Sequence, residues 1–166
     1  MQNGQHIRSA FDKALEGIQA NMLKMGGLVE ANIIGAAKAL EERDVELAEK
    51  VRERDRQIDN LEELINDGIS RFIAQESPVA TDLRVLLSIL KVSNNLERIG
   101  DHAKNTAKRT NVLLQLKDVE NSQAAIRRLS RDVQVMLKDA LDAYINRDKE
   151  LALDVIARDT EVDELY

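Results

Sequence analysis

Residues 39–61 read ALEERDVELAEKVRERDRQIDNL, and residues 143–165 read AYINRDKELALDVIARDTEVDEL. At an offset of 104 residues the two windows share Arg43/Arg147, Asp44/Asp148, Glu46/Glu150, Leu47/Leu151, Ala48/Ala152, Val51/Val155, Arg54/Arg158, Asp55/Asp159, Asp59/Asp163 and Leu61/Leu165. An internal repeat means that each unit is a supersecondary module able to pack against its copy. The first window leads into a further carboxylate-bearing helix, whereas Tyr166 closes the second. The chain therefore reads as a complete repeat over residues 1–116 and a partial second repeat of two helices over residues 117–166.

Composition decides what the repeats are made of. Hydrophobic residues are 43% of the chain, yet only two Phe, two Tyr and no Trp are present, so the core must be aliphatic. With one proline and seven glycines there are too few turn residues for a β-fold, in which strand ends recur every ~8–12 residues. The fold class is all-α: antiparallel three-helix bundles in tandem, the second incomplete.

Charge and cysteine content narrow the function. Thirty acidic and 24 basic residues give a net charge of −6 with no basic cluster, which disfavours nucleic acid as a partner. Without cysteine there is neither a disulfide framework nor a thiolate metal site. No apolar run approaches the ~18–20 residues that span a bilayer, and MQNGQHIRSAFDK lacks a signal-peptide core, so a cytoplasmic protein is expected.

Apolar spacing predicts a first helix over about residues 7–42, through Leu15, Ile18, Met22, Met25, Val29 and Ile33, with Gly26-Gly27 as a place to bend. Asp44 is positioned to cap a second helix that runs up to Pro78. Ser77-Pro78 reads as a capping hydroxyl and a first-turn proline opening a third helix to about Leu114. A polar connection at Lys117-Asp118 leads to a fourth helix, and Arg147-Asp148 repeats the cap before the fifth. Ile126, Leu129, Val133, Met136, Leu137, Val155, Val162 and Leu165 on the last two helices are expected to lack a covering helix.

The third helix carries the unusual face. At ~100° per residue, Arg84, Lys91, Arg98, His102 and Arg109 share one side. Glu97 falls opposite, in line with Leu83, Leu86 and Leu90, with Asp101 only about 40° away. Asn94 and Asn105 flank them. On the second helix, Asp55 and Glu62 border the Val51/Ile58/Ile65/Ile69 stripe, with Asp59 one row further out. Asp55/Asp59 and Glu97/Asp101 are i,i+4 pairs of like charge, each unfavourable by a few tenths of a kcal/mol. In so acidic a chain such pairs also occur on plain solvated faces. A cation between the two helices would compensate both pairs. Carboxylates with amide neighbours are hard oxygen donors suited to magnesium, calcium, manganese or iron, and can bridge several ions in a cluster.

These residues lie within segments that resemble the PhoU family of phosphate-transport accessory proteins: Arg8-Ser9-Ala10-Phe11-Asp12, Ala39-Leu40 through Asp44, Asp55-x-x-Ile58-Asp59, Pro78 through Arg84, and Leu96 through Asn105. The resemblance implies paired three-helix bundles whose acidic motifs hold metal clusters of iron, manganese or magnesium. It implies ligands at Asp55, Asp59, Glu97 and Asp101, with Asp159 and Asp163 as the surviving part of a second site. It further implies a negative regulator of phosphate-starvation signalling whose partners are the ATPase subunit of a phosphate ABC transporter and a sensor histidine kinase. A homodimer that meets the membrane only through those partners is expected. Two alternatives stand beside it: the cytoplasmic domain of a sodium/phosphate symporter, and a carboxylate-bridged metalloenzyme. The latter ordinarily needs Glu-x-x-His, but Asn3 and Ile99 precede His6 and His102 at that spacing.

Overall fold

The structure, a computed structural model, describes the backbone of residues 2–114 and 122–164, and the side chains of residues 12–114, 123–160 and 162–164. Its elements are α1 (Gln2–Glu42), α2 (Val45–Glu76), α3 (Ala80–Lys108), the single turn α4 (Thr110–Leu113), α5 (Ser122–Asn146) and α6 (Lys149–Asp163). No strand occurs among the described residues. Helices α1, α2 and α3 pack on one another, α5 packs on α1, and α6 packs on α5. The expected connection at Lys117-Asp118 and the side chain of Leu165 lie outside the described residues.

The α1–α2 turn shows why Arg-Asp recurs in the sequence. Arg43 takes a left-handed conformation (φ 53°), which ends α1, and the next amide, Asp44 N, donates to Ala39 O at 2.9 Å. The Asp44 carboxylate then accepts from Leu47 N at 2.9 Å and opens α2. One residue thus closes a helix with its amide and begins another with its side chain.

At the other end of α2 the expected cap is displaced. Ser77 is the C-cap of α2 in a left-handed conformation (φ 44°), and the extended Val79, with no side-chain cap bond, precedes α3. Proline disfavours right-handed helical geometry in the residue before it, so Ser77 terminates α2 instead of initiating α3. The third helix also stops earlier than expected. Arg109 N bonds to Thr106 O at 3.1 Å, a tighter turn that separates α3 from α4.

The larger core cluster draws on four helices and is aliphatic except for Phe72. Met22, Met25 and Val29 of α1 meet Ile58, Ile65 and Phe72 of α2, Leu86, Ile89 and Leu96 of α3, and Leu137 and Leu141 of α5. Each such aliphatic side chain contributes about 1.5–3 kcal/mol when fully buried. Near the α1–α2 turn the packing changes to Ala36, Ala39, Ala48, Val51, Ala103 and Ala107. A Cβ on Gly35 would lie 2.9 Å from Val51 Cγ2, so this seam depends on small residues. Gly26 has a packing role as well: α1 continues through it, and its missing Cβ leaves room for Leu141 of α5.

That docking changes what α5 and α6 expose. Leu137 is buried, and Ile126, Leu129, Val133, Met136, Val155 and Val162 are half-buried. The large apolar side chains left exposed are Val135 and Ile145 on α5 and Leu153 and Ile156 on α6. Helix periodicity identified an apolar face on α5 but could not identify α1 as its cover.

Candidate metal centre between α2 and α3

Asp55 lies on α2 one turn after Val51 and just before Ile58, within the stripe that faces α3, and is only 2% exposed. Opposite it is Gly100. A Cβ there would come within 3.2 Å of Ile58 Cδ1 and 3.4 Å of Asp55 Oδ1. The helices approach closely at this point because α3 presents only hydrogen.

One turn further along α3, Lys104 reaches back into the seam. Its ammonium pairs with Asp55 Oδ2 and with Asp101 Oδ1 simultaneously. Hydrogen bonds to Asp101 and Asp55 raise the Lys104 pKa despite the opposing desolvation, so it is fully charged. The bond from Lys104 likewise holds Asp101 below the usual carboxylate range. Asp55 Oδ1, by contrast, is buried with no hydrogen-bond partner.

Around this bridge the remaining carboxylates oppose one another. Burial, then the charge of Asp55, raises the Asp59 pKa. Burial, then Asp101 and Glu62, raises that of Glu97. Burial, then Asp59 and Glu63, raises that of Glu62. All three are half-buried and favour neutralisation by a proton or another cation. With its amide turned over so that nitrogen instead of oxygen faces these acceptors, Asn94 donates to Glu62 Oε1 at 3.0 Å and Leu90 O at 3.1 Å.

The structure therefore brings Asp55, Asp59, Glu97 and Asp101 to one seam, with Glu62 and Asn94 beside them. Asn105 is not part of it; it is exposed and accepts from Lys108 Nζ at 3.4 Å. His102 is exposed with Arg84, Lys91, Arg98 and Arg109, so it does not add an imidazole to the carboxylates. Asp159 and Asp163 are exposed on α6, and among the described residues α6 packs on α5 alone. Among the described residues, no helix packs on the second acidic pair as α3 packs beside the first.

Sequence reasoning missed Lys104. The signal was available: it lies three residues after Asp101 and seven after Glu97, and so shares their side of the helix. Lys104 sets a positive charge between Asp55 of one acidic pair and Asp101 of the other, at the position where the sequence led to the expectation of a bound cation. Among the described residues no three carboxylate or imidazole side chains are grouped closely enough to hold a metal as they stand. The donor chemistry nonetheless fits a hard cation, with an unpartnered buried oxygen on Asp55 and oxygen donors around it. The position between Asp55 and Asp101 is taken by the Lys104 ammonium.

Comparison with known proteins accounts for both repeats. The PhoU domain family matches residues 22–110 and again 126–166, starting points separated by the 104-residue offset of the repeat. The phosphate-specific transport system accessory protein PhoU homolog of Pseudomonas aeruginosa is 39% identical over 161 residues, covering 97% of this chain and 66% of that protein. The homolog from Pseudomonas putida is also 39% identical, with coverages of 97% and 63%, and that from Caulobacter vibrioides is 37% identical, with 98% and 70%. The chain thus spans just under two thirds of the two Pseudomonas relatives. The crystal structure of PhoU from Pseudomonas aeruginosa superposes with a TM-score of 0.88 at 39% identity, over 93% of this chain and 74% of that one. The phosphate transport system regulatory protein PhoU from Streptococcus pneumoniae gives 0.82 at 29% identity, over 93% and 72%.

Proposed function

The chain belongs to the PhoU family, and from that premise we propose that it is a regulator of phosphate uptake that acts by contact, without turnover. The observation that carries this reading is identity of 35–39% over nearly the whole chain with proteins named for the phosphate-specific transport system. Its partners under this reading are the ATPase subunit of a phosphate ABC transporter and a sensor histidine kinase, and its effect is to repress the starvation response when phosphate is plentiful. No described helix is long and apolar enough to cross a membrane. A homodimer that covers the apolar residues of α5 and α6 belongs to the same reading.

Metal binding is the second part of the proposal. Asp55, Asp59, Glu97 and Asp101 would hold a hard cation such as manganese, iron or magnesium, singly or in a cluster. Bound there, it would supply positive charge that neutralises the row and ties α2 to α3. Asp159 and Asp163 would contribute only where a further helix faces α6.

The test joins both parts. A phosphate-starvation reporter in a bacterium lacking its own PhoU should fall when this chain is supplied in phosphate-rich medium, and the transporter ATPase or the kinase should co-purify with it. Manganese uptake by the purified protein should disappear in Glu97→Ala/Asp101→Ala. Absence of repression and of both partners, with robust hydrolysis of phosphate esters by the pure protein, would replace a regulator with an enzyme.

A further inference from the structure

A side chain that bridges two carboxylates at the interface of two helices occupies the place another cation would need. We infer that Lys104 is the resident counter-ion of the α2–α3 seam and the residue that sets its affinity for a metal: a bound cation enters by displacing this ammonium. The inference rests on the metal-binding reading above and assigns the competitor that reading lacks.

Three observations carry it. Lys104 Nζ contacts both Asp55 Oδ2 and Asp101 Oδ1, one carboxylate from each acidic pair. Asp55 is 2% exposed, and its second oxygen, Oδ1, has no partner, so the ammonium does not satisfy this carboxylate completely. The Lys104 side chain is 22% exposed, so its head lies near the seam's opening and can leave into water by rotation of its own stem. A lysine is a single positive charge on a flexible chain. It balances one carboxylate of the five in the row, and Asp59, Glu62 and Glu97 remain destabilised as anions. An ion of charge two or three neutralises more of the row, whereas a monovalent ion offers no gain over the lysine. The exchange moves no proton, because the ammonium stays charged as it leaves.

The consequence is a threshold. Affinity measured on the wild-type protein is the intrinsic affinity of the carboxylates reduced by the stability of the lysine bridge, in the way that any competing bound state lowers apparent affinity. Removing the ammonium should tighten metal binding even though Lys104 is not a ligand.

The experiment is a manganese titration of the metal-free wild-type chain, Lys104→Met, Lys104→Arg and Glu97→Ala/Asp101→Ala, read by equilibrium dialysis and by thermal unfolding. Lys104→Met should bind manganese at least tenfold more tightly than wild type and melt lower without metal. Manganese should also raise its melting temperature by more. Lys104→Arg, which keeps the charge, should bind no more tightly than wild type. If Lys104→Met folds only when manganese is present, that rescue is the expected effect in its extreme form. Uptake by wild type with Lys104→Met within twofold of it would overturn the role of Lys104 and leave the metal site standing. No uptake by wild type, Lys104→Met or Lys104→Arg would overturn both.

Discussion

The α1–α2 and α5–α6 hairpins begin with the same turn and differ in what becomes of the carboxylates that follow it. In both turns an arginine is left-handed, at φ 53° for Arg43 and 54° for Arg147. Asp44 N and Asp148 N close their preceding helices on Ala39 O and Ala143 O at 2.9 and 2.8 Å. Asp44 and Asp148 cap the following helices at 2.9 and 3.0 Å. Even the cross-hairpin arginine recurs: Arg54 donates to Ala31 O and Asn32 Oδ1 on α1, and Arg158 pairs with Asp139 on α5. Yet Asp55 is buried against Gly100, while its counterpart Asp159 is exposed. The difference is α3. Eleven residues past a shared turn, the same amino acid is a core carboxylate where α3 packs against its helix and a surface carboxylate where, among the described residues, α5 alone does.

Truncating the two aspartates in turn should give the largest difference between the hairpins. Asp55→Ala should lower the unfolding free energy by about 2–3 kcal/mol. This is less than the ~3–5 of a fully buried pair, because Lys104 keeps Asp101 and some access to water. Asp159→Ala should stay within about 0.5 kcal/mol of wild type, as a surface change does. Urea unfolding of both variants decides it, and equal losses would mean that the two hairpins are not differently buried.

Where the hairpins agree, the costs should agree. Asp44→Ala and Asp148→Ala each remove a cap of the same geometry, and each should cost about 1 kcal/mol in its own helix. Hydrogen exchange at the Leu47 and Leu151 amides reads the two sites separately. A several-fold faster rate at both is expected, and a large difference between them would show that tertiary packing holds one turn without its cap.

The smallest expected effect lies within the α2–α3 seam. The pKa of Glu97 is raised in the folded state, by burial first and then by Asp101. Its contribution is therefore fully present below the unfolded glutamate pKa and lost as pH rises through the folded one. Asp101 behaves oppositely, because Lys104 lowers its pKa; its contribution is present above the unfolded aspartate pKa and lost as pH falls through the folded one. Glu97→Gln should thus stabilise the metal-free protein at neutral pH by a few tenths of a kcal/mol, the scale of a like-charge i,i+4 pair. The advantage should vanish once the pH falls below the ordinary glutamate range. Melting curves across that range test the sign, and a loss of stability at neutral pH would show that Glu97 makes a favourable contact in the seam.

Much of this was legible from residues close together in the chain. A cap such as Asp44 or Asp148 acts over three residues, and the stripe of Val51, Ile58, Ile65 and Ile69 needs only the period of a helix, so both follow from the sequence by itself. The repeat, the helical class and the facing of Glu97 and Asp101 away from the arginine side have the same origin. Other features depended on contacts between distant segments. Ser77 ended a helix instead of starting one, Gly26 made room for Leu141, and Lys104 turned inward to Asp55 across 49 positions of sequence. Burial is the reason for the division: periodicity says which side chains share a face, but only the arrival of another helix removes that face from water. Asp55 and Asp159 have the same local sequence logic, and the tertiary structure alone decided that Asp55 is buried beside Lys104 while Asp159 stays in water.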